Sequence, residues 1–474
     1  MPDLNKNKIP EKIKKIHLIA VCGTGMGALA CMLKDLGYEI TGSDDKIYPP
    51  MSDFLAEKGI ALMQGFSADN LSYNPDLVVV GNAVRRENPE AVRMAEKGLC
   101  YCSMPQALNR FAAAGKNSLI VIGTHGKTTT TSILAWVLYK AGLDPSFMIG
   151  GITKNFNSNY RIGKGKYFVV EGDEYDTAFF DKGPKFLHFD PLIAILTSIE
   201  FDHADIFRDL DHVKETFGKM IEKMSPDSSL IAFDTDNNIN SLLSKSNCRV
   251  EKYGKNSASD WKLGSFKIES PWTFFEVMKK RKAFKTFKTK LVGEHNLQNA
   301  LSVIAAADSL NIPVDTIHEA LETFEGIKRR QEVRGERKGI TVMDDFAHHP
   351  TAVKETVKAL KPFYPKGRLI AVFEPRTNSS MRKVFQDVYP LSFDDADIIC
   401  ISKPPLLEKI PFDERFSSEK LVEDLKTKGK DAYFFNNTQS IIDFLVKTAK
   451  SGDLILIMSN GGFENVHERL LAAL

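Results

Sequence analysis

Short apolar runs alternate with helical stretches along most of the chain, and this alternation is the main signal in the sequence. Among the runs are His17–Cys22, Leu77–Val80, Leu119–Ile122, Tyr167–Glu171 and Leu192–Thr197. Continuous apolar runs of strand length, each followed by a helical pattern, are typical of parallel strands whose two faces are covered by helices. The pattern therefore predicts an α/β protein with parallel sheets.

Three segments of the chain each open with such a strand, so we predict three domains. Their predicted bounds are residues 1–114, 115–327 and 328–474. Ala112–Asn117 is the predicted linker between the first two domains, and the third begins near Lys328. A chain of 474 residues also exceeds what one hydrophobic core usually supports.

One stretch of the second segment has a different pattern. Between about Trp261 and Leu291 apolar and polar positions alternate and aromatic residues are frequent, which predicts antiparallel strands. Within it, Lys279–Lys290 carries seven basic residues. Such a segment fits either a nucleic-acid face or a solvated edge strand guarded by lysines, and we prefer the edge strand.

Charge and composition narrow the range of partners. The chain has 63 Lys plus Arg against 61 Asp plus Glu, a formal net charge of +2, so a nucleic-acid partner is not expected. The six cysteines do not form a metal-binding spacing. The sequence has neither a signal-peptide pattern nor an apolar run of the about 18 to 20 residues that span a bilayer. We expect a cytoplasmic protein without membrane insertion, present as a monomer or weak dimer.

A glycine–lysine loop between a predicted strand and a predicted helix is the strongest chemical motif. It consists of Gly123, Thr124, His125, Gly126, Lys127, Thr128 and Thr129. Glycines let backbone N–H groups converge on phosphate oxygens, and the helix adds the partial positive charge of its N-terminus. The loop is shorter than the common phosphate-loop pattern, because Val121 stands where the first glycine would be. We predict that it binds a nucleotide, with Lys127 on the phosphates and Thr128 on Mg²⁺.

Two acidic clusters follow two predicted strands of the same segment. One is Glu171–Asp176 and the other is Glu200–Asp205. Ligands of open α/β sheets bind at the carboxyl ends of strands, and Mg²⁺ prefers oxygen ligands. The clusters therefore predict a magnesium site together with Thr128. Helix capping or solvation explains any single acid equally well, and His203 is either a ligand or a structural hydrogen-bonding group.

The first segment carries a second glycine motif. Gly23, Gly25 and Ala28 form the pattern G-x-G-x-x-A after a predicted strand, and Asp44 follows about 20 residues later. This arrangement suits a dinucleotide or another nucleotide diphosphate. A substrate carried on a nucleoside diphosphate would explain why one chain has two nucleotide motifs.

Five motifs, in this order along the chain, resemble those of the Mur ligases. They are Gly123–Thr129, Glu171–Glu174, Asp202–His203, Gly293–Asn299 and Asp344–Thr351. The resemblance implies a Rossmann-like N-terminal domain that binds a UDP-sugar, a central P-loop ATPase domain and a Rossmann-like C-terminal domain. It also implies ATP and Mg²⁺ as cofactors.

The resemblance further implies roles for individual residues. The nucleotide is assigned to the loop Gly123–Thr129 and to Asn296, Asn299, Arg330 and Asp345. The metal is assigned to Thr128, Glu171 and His203. The UDP-sugar is assigned to Gly23, Gly25, Ala28, Ser43, Asp44 and Asn82.

Within the family, the chain resembles the branch that acts on the carboxylate of UDP-N-acetylmuramate. Five segments are similar to those of the ligase that attaches the tripeptide L-Ala-γ-D-Glu-meso-diaminopimelate in peptidoglycan recycling. They are Tyr48–Ser52, Asp176–Lys182, Glu200–Phe207, Glu374–Asn378 and Met458–Phe463. The implied reaction passes through an acyl phosphate. Two alternatives stay open: a ligase that adds L-alanine in de novo peptidoglycan synthesis, and a UDP-sugar-binding sensor without catalysis.

Three further residues are candidates for the peptide half of this reaction. His348 or His349 could accept the proton of the attacking amine, although the two could equally be a structural pair at a strand end. Arg376 could hold a peptide carboxylate in a bidentate pair.

Overall fold

In the computed structural model, which describes residues 2–47 and 51–474, the chain divides into two units. The first consists of Met1–Ile199, Asp211–Trp261 and Ser302–Ala320, and the second of Glu200–Leu210, Lys262–Leu301 and Leu321–Leu474. Part of the motif Tyr48–Ser52 lies outside the described residues.

A five-stranded parallel sheet with the order β3-β2-β1-β4-β5 opens the first unit. Its strands and helices are β1 Lys15–Ile19, α1 Thr24–Asp35, β2 Glu39–Asp44, α2 Met51–Glu57, β3 Ala61–Gln64, β4 Leu77–Val80, α3 Pro89–Glu96, β5 Tyr101–Ser103 and α4 Met104–Leu108. The first strand ends at Ile19, three residues earlier than the apolar run predicts. The chain turns there because Ala20 has a φ of 63° and the Cys22 N–H donates to the Asp44 carboxylate at 2.8 Å.

A second sheet of the first unit follows directly, in the order β14-β13-β12-β6-β9-β7-β8. Its elements are β6 Asn117–Ile122, α5 Lys127–Lys140, β7 Ser146–Thr153, β8 Ser158–Arg161, β9 Tyr167–Glu171, β10 Asp176–Ala178, β11 Asp181–Pro184, β12 Pro191–Leu196, α6 Leu210–Lys223, β13 Ser229–Phe233, α7 Asn237–Asn240 and β14 Arg249–Gly254. All its pairs are parallel except β7 with β8, while β10 and β11 form a separate hairpin. The predicted linker is shorter than expected, because a π-helical turn covers Asn109–Ala113.

The β10–β11 hairpin joins the two sheets of the first unit, and the sequence pattern did not predict it. Phe179 and Phe180, at its tip, pack against the apolar core of the first sheet, and Phe180 meets Tyr101 edge-on at 4.9 Å between ring centroids. Just beyond the hairpin, Phe186 is fully buried and stacks on Phe217. The hairpin is therefore fixed at both ends by aromatic packing.

The second unit holds antiparallel strands, a six-stranded sheet and its helices. The elements from here to the end of the chain are β15 Trp261–Glu269, β16 Trp272–Lys279, β17 Lys282–Thr289, α8 Glu294–Ser309, α9 Val314–Glu322, β18 Glu332–Arg337, β19 Ile340–Asp345, α10 Pro350–Leu360, β20 Leu369–Phe373, β21 Ile398–Ser402, α11 Ser418–Thr427, β22 Ala432–Phe435, α12 Thr438–Thr448, β23 Leu454–Met458 and α13 Val466–Ala473. The lysine-rich β17 pairs antiparallel with β16 and is the last strand of its sheet, as expected for an edge strand.

The six-stranded sheet has the order β18-β19-β23-β20-β21-β22, and only β18 runs antiparallel to its neighbour. One face packs on α10 and α11 through residues such as Val353 and Leu421, and the other on α12 and α13 through Ile441 and Leu470. Helices on both faces explain why its strands read as continuous apolar runs. Among the described residues, no helix is long and apolar enough to cross a membrane.

A buried histidine in α13 should make the stability of the second unit depend on pH. Burial, together with the nearby Arg334 guanidinium, lowers the pKa of His467 to about 4. The ordinary pKa of histidine is about 6.5. Between about pH 4 and pH 6.5 this histidine is therefore protonated in the unfolded state and neutral in the folded state. Stability is therefore lost as the pH falls through this window.

We expect His467→Asn to reduce the loss of stability between pH 7 and pH 5 by about 1–2 kcal/mol. Amide hydrogen exchange in β19 and β23, corrected for its intrinsic pH dependence, measures the difference. An identical pH dependence in the variant and the parent protein would contradict this role for His467.

Candidate functional site

The glycine–lysine loop connects β6 to α5, and its two glycines adopt conformations that other residues rarely take. Gly123 has a φ of 133°, and a Cβ there would lie 2.3 Å from the Thr197 hydroxyl. Gly126, with a φ of 78°, is the N-cap of α5.

The backbone N–H groups of Thr124 and His125 donate to the Ser198 carbonyl and hydroxyl, each at 2.9 Å. The loop is thus held against the end of β12, and the helix that follows it begins at Lys127.

The Lys127 side chain, at the start of α5, is 13% exposed, and its ammonium has acceptors for all of its N–H donors. It donates to the carbonyls of Gly123 and Thr124 at 2.6 and 3.2 Å and to both carboxylate oxygens of Glu174 at 2.8 and 3.0 Å. Burial alone would lower the pKa of Lys127, but the Glu174 carboxylate outweighs it and the pKa is raised. Lys127 therefore carries its charge, and an incoming phosphate has to exchange with Glu174.

Thr128 and Glu171 bring two oxygens together beside this lysine. The Thr128 hydroxyl donates to Glu171 Oε1 at 2.9 Å, and the Gly150 N–H donates to Glu171 Oε2 at 2.7 Å. Neighbouring ligands of an octahedral Mg²⁺ with bonds of about 2.1 Å lie about 3 Å apart, so this pair of hard oxygens fits two adjacent positions of such an ion. A Cβ at Gly150 would lie 2.8 Å from the Glu171 carboxylate, so a side chain there would require this carboxylate to shift.

A cleft of about 580 Å³ in the first unit reaches from the first glycine motif to the end of β9. Gly23, Gly25, Asp44 and Asn82 line it, and so does Glu171. Four of the six residues assigned to the UDP-sugar therefore share one cavity with an acid assigned to the metal. This connection between the two nucleotide motifs lies entirely within the first unit.

The other two residues assigned to the UDP-sugar do not line this cleft. Ala28 lies fully buried within α1. The Ser43 hydroxyl, also fully buried, donates to Glu90 at 2.7 Å, and Glu90 in turn is bound by His17 at 3.0 Å and by Asn70 at 2.6 Å. Ser43 thus supports the end of β2 from within the core, because its hydroxyl has a buried carboxylate as its partner.

In the second unit, the residues assigned to the adenine end of the nucleotide surround the start of α8. Asn296 donates to the Val292 carbonyl at 2.9 Å and to the Gln331 side chain at 3.3 Å, and Asn299 donates to the Asn296 side chain at 3.2 Å. The carboxamides therefore form a chain that links α8 to the segment before β18.

Arg330 and Asp345 lie in the same segment of the second unit. The Arg330 guanidinium stacks over the Phe346 ring at 4.7 Å from its centroid. Asp345 accepts from the N–H groups of Gln331 and Ala347, both at 2.8 Å. Burial raises the pKa of Asp345, although Arg330 favours its ionised form. Asp345 fixes the backbone on both sides of the Arg330–Phe346 stack.

The two histidines after β19 have different hydrogen-bonding roles. His349 Nδ1 accepts from the Thr351 N–H at 3.2 Å and caps α10, so Nε2 carries the proton and donates to the Phe201 carbonyl at 3.2 Å. His348 Nδ1 lies 3.0 Å from the Phe346 carbonyl, which leaves Nε2 facing Asp202 Oδ2 at 3.8 Å. Only His348 has a ring nitrogen suited to accept a proton in this arrangement.

Asp202 and His203 belong to the second unit, within Glu200–Leu210. Burial would raise the pKa of Asp202, but His348 and His203 hold it well below the ordinary value. His203 adopts a φ of 55°, and its carbonyl accepts from the N–H groups of Ile206 and Phe207. These bonds make a tight turn that places His203 next to an ionised carboxylate.

Arg376 stands at the end of β20 next to a carboxylate of its own. Its guanidinium lies 3.5 Å from Glu374 Oε2, and the Ser459 hydroxyl donates to the same oxygen at 2.7 Å. Burial raises the pKa of Glu374. A Cβ on Gly461 would lie 2.3 Å from Arg376 Nε, so the glycine makes room for the guanidinium, which is about a third exposed.

Two residues of the first unit that the sequence analysis did not assign also belong to the site. Glu174 is the partner of Lys127, and Lys185 lines the cleft next to Asp173. Glu174 lies inside the motif Glu171–Glu174, so the motif signalled its position but not its partner. Lys185 carried no signal, because its place depends on the β10–β11 hairpin.

Comparisons with known proteins cover nearly the whole chain. Residues 15–116 match the family model described as Mur ligase family, catalytic domain, residues 121–307 match the Mur ligase middle domain, and residues 329–461 match the Mur ligase, glutamate ligase domain. The matched ranges lie in the same order as the three segments of the sequence.

Individual relatives match over almost their full length. The UDP-N-acetylmuramate–L-alanyl-gamma-D-glutamyl-meso-2,6-diaminoheptandioate ligase of Escherichia coli K12 is 39% identical over 461 residues, covering 97% of this chain and 98% of that protein. The UDP-N-acetylmuramate–L-alanine ligase of Acetivibrio thermocellus is 34% identical over 465 residues, covering 98% and 96%. The crystal structure of a murein peptide ligase from Psychrobacter arcticus matches with a TM-score of 0.72 at 35% identity, covering 98% of both chains. The predicted α/β architecture and the resemblance are confirmed: the chain belongs to the Mur ligase family.

Proposed function

We propose that this protein is an ATP-dependent ligase that joins the carboxylate of UDP-N-acetylmuramate to the amine of L-Ala-γ-D-Glu-meso-diaminopimelate, in peptidoglycan recycling. The single observation that carries the proposal is the cleft in the first unit, where the first glycine motif and Glu171 share one cavity and Glu171 also touches Thr128 of the phosphate loop. The greater identity to a ligase named for this tripeptide, 39% against 34% for an L-alanine ligase, favours the tripeptide as acceptor.

The proposed reaction has two balanced steps. A carboxylate oxygen of the muramyl group attacks the γ-phosphorus of ATP, the bond to the β-phosphate oxygen breaks, and ADP leaves. The peptide amine then attacks the acyl-phosphate carbonyl, phosphate leaves, and the amine proton passes to a base. The first step converts a poor electrophile into one with a good leaving group.

The residues of the first unit supply position and charge for the first step. Lys127 and the N-terminus of α5 stabilise the transferred phosphoryl group, and Thr128 and Glu171 would hold Mg²⁺. When bound, Mg²⁺ neutralises the charge of the phosphate oxygens. Within the predicted domain 1–114, the loop Gly23–Gly25 binds the diphosphate of the UDP-sugar, with Asp44 and Asn82 beside it.

The residues of the second unit serve the nucleotide and the amine. Asn296 and Asn299 bind the adenine end of ATP, and Arg330 and Asp345 shape the neighbouring segment. His348 accepts the amine proton through Nε2, the ring nitrogen that faces Asp202. His203 is proposed as the further metal ligand.

One experiment separates this proposal from its alternatives. The purified protein is incubated with UDP-N-acetylmuramate, ATP and Mg²⁺ and with either the tripeptide or L-alanine, and phosphate release and product mass are measured. We expect a product with the mass of UDP-N-acetylmuramyl-tripeptide. A product formed with L-alanine alone would overturn the choice of acceptor. Tight binding of UDP-N-acetylmuramate without phosphate release from either mixture would favour the sensor.

Arg376→Ala should raise the KM for the tripeptide about 10- to 100-fold and leave the KM for ATP unchanged. A bidentate bond between a guanidinium and a carboxylate contributes about 1.5–3 kcal/mol, and the exposed part of Arg376 offers such a bond to the peptide. Steady-state kinetics with each substrate varied in turn measures the effect. Arg415→Ala, which removes a guanidinium from the same unit, is the control, and equal KM values for the tripeptide in both variants would contradict the clamp.

A further inference from the structure

Lys185 is a buried cation in the wall of the cleft. Its side chain is 10% exposed, and its ammonium forms an ion pair with Asp173 and lies 5.8 Å from the centroid of the Tyr175 ring. An ammonium has three N–H donors, and among the described residues a single carboxylate, Asp173, is its ion-pair partner. The ammonium therefore retains donors for a ligand.

The backbone holds Lys185 firmly in this place. Its own N–H donates to the Tyr175 carbonyl at 3.2 Å, and the next N–H, of Phe186, donates to the Asp173 carbonyl at 3.3 Å. Phe186 is fully buried against Phe217. A cation anchored in this way can bind an anion without a large loss of conformational entropy.

Acidic side chains line both ends of the cleft, with Asp44 and Asp45 at the first glycine motif and Glu171 and Asp173 at the end of β9. The end at Gly23–Gly25 offers backbone N–H groups at the start of α1, which suit a diphosphate. The other end carries Glu171 and Asp173, which repel an anion unless a cation lies between them and it. Among the described residues, two basic side chains line the cleft: Lys46, which is exposed, and Lys185, which is buried at the end that carries Glu171 and Asp173.

We propose that Lys185 binds the reacting carboxylate of the sugar nucleotide and holds it next to Glu171, at the end of the cleft near β9. This inference rests on the proposed function, because it requires a substrate with a diphosphate and a carboxylate in one molecule. Lys185 then selects sugar nucleotides that carry the carboxylate. It also offsets the repulsion between that carboxylate and the acids around the metal position.

Two ligands test this role, because they differ in the carboxylate and share the diphosphate. UDP-N-acetylmuramate carries the lactyl carboxylate, and UDP-N-acetylglucosamine lacks it. In the parent protein we expect tighter binding of the first ligand by calorimetry. Lys185→Met should weaken its binding and raise its KM about 10- to 100-fold, the loss of one charge-assisted bond. Binding of UDP-N-acetylglucosamine and the KM for ATP should not change.

Controls separate this role from a structural one. Lys182→Met removes a lysine from the β10–β11 hairpin that precedes Lys185, where it is 71% exposed and paired with Asp176, and it should match the parent protein. Lys185→Met leaves Asp173 without its partner, so Lys185→Met/Asp173→Asn tests the same preference without the unpaired carboxylate. Lys185→Arg should restore part of the preference.

Different results overturn the inference and the function. If the parent protein forms product and Lys185→Met retains its preference for UDP-N-acetylmuramate, the inference is wrong and the function stands. If Lys185→Met weakens both ligands equally, the lysine serves the diphosphate or the fold, and the inference is again wrong. If the parent protein neither binds UDP-N-acetylmuramate nor forms product, the proposed function fails.

Discussion

Lys127→Ala is expected to reduce the rate of product formation at least about 1,000-fold at saturating ATP. The carbonyls of Gly123 and Thr124 hold the Lys127 ammonium at the start of α5, so its position is fixed before a nucleotide binds. Once a phosphate has replaced Glu174 as its partner, this held charge acts on the transition state without further reorganisation. Phosphate release in the presence of all three substrates measures the effect.

A loss of folding has to be distinguished from a loss of chemistry in this variant. Removing Lys127 leaves the Glu174 carboxylate buried without its cation, and breaking a buried pair in this way typically costs about 3–5 kcal/mol. Lys127→Ala/Glu174→Gln removes the charge that has lost Lys127, and it should regain thermal stability but not activity. Lys140→Ala, in the last turn of α5 and paired with Glu319, is the control and should behave like the parent protein. Normal activity in Lys127→Ala would refute the assignment of the phosphate loop.

Glu171→Gln is expected to reduce activity about 100-fold or more, and higher Mg²⁺ concentrations should partly restore it. The amide has nearly the same shape as the carboxylate: its oxygen can accept from the Gly150 N–H, and its NH2 group can donate to the Thr128 hydroxyl. It lacks the negative charge that attracts the ion. The Mg²⁺ concentration that gives half-maximal activity, measured at saturating ATP, should therefore rise.

The control for this variant is Glu222→Gln in α6, an exposed acid paired with Lys245. It removes the same charge from the same unit at a surface position, and its Mg²⁺ requirement should not change. If Glu171→Gln loses activity without any change in its Mg²⁺ requirement, the acid supports the loop through Thr128 and does not hold the ion.

Local patterns in the sequence predicted the parts of the site that depend on neighbouring residues. The loop from Gly123 to Thr129 and the acids after β9 follow directly from strands whose apolar runs are easy to recognise. Because these strands are parallel and adjacent in one sheet, Thr128 and Glu171 meet at its carboxyl edge. Sequence and topology together were sufficient there.

Other parts of the site depend on contacts between distant residues, which no local pattern contains. The pair of Lys127 with Glu174 spans 47 positions of the sequence. The place of Lys185 depends on Phe180 reaching Tyr101 in another sheet. The different roles of His348 and His349 follow from which carbonyl each ring nitrogen meets. Tertiary packing determines these contacts, so the sequence pattern alone did not predict them.

The contact between Glu174 and Lys127 affects which anions the phosphate loop admits. Glu174 is a competitor attached to the protein itself, and a short tether gives such a group an effective concentration on the order of millimolar or more. A single sulfate or phosphate ion, which offers one point of attachment, has to displace it unaided. In the proposed reaction a triphosphate would engage the loop, the helix terminus and the metal together, and the sum of these contacts would outweigh the tethered acid. We therefore expect the loop to bind a polyphosphate chain more tightly than a single sulfate or phosphate ion.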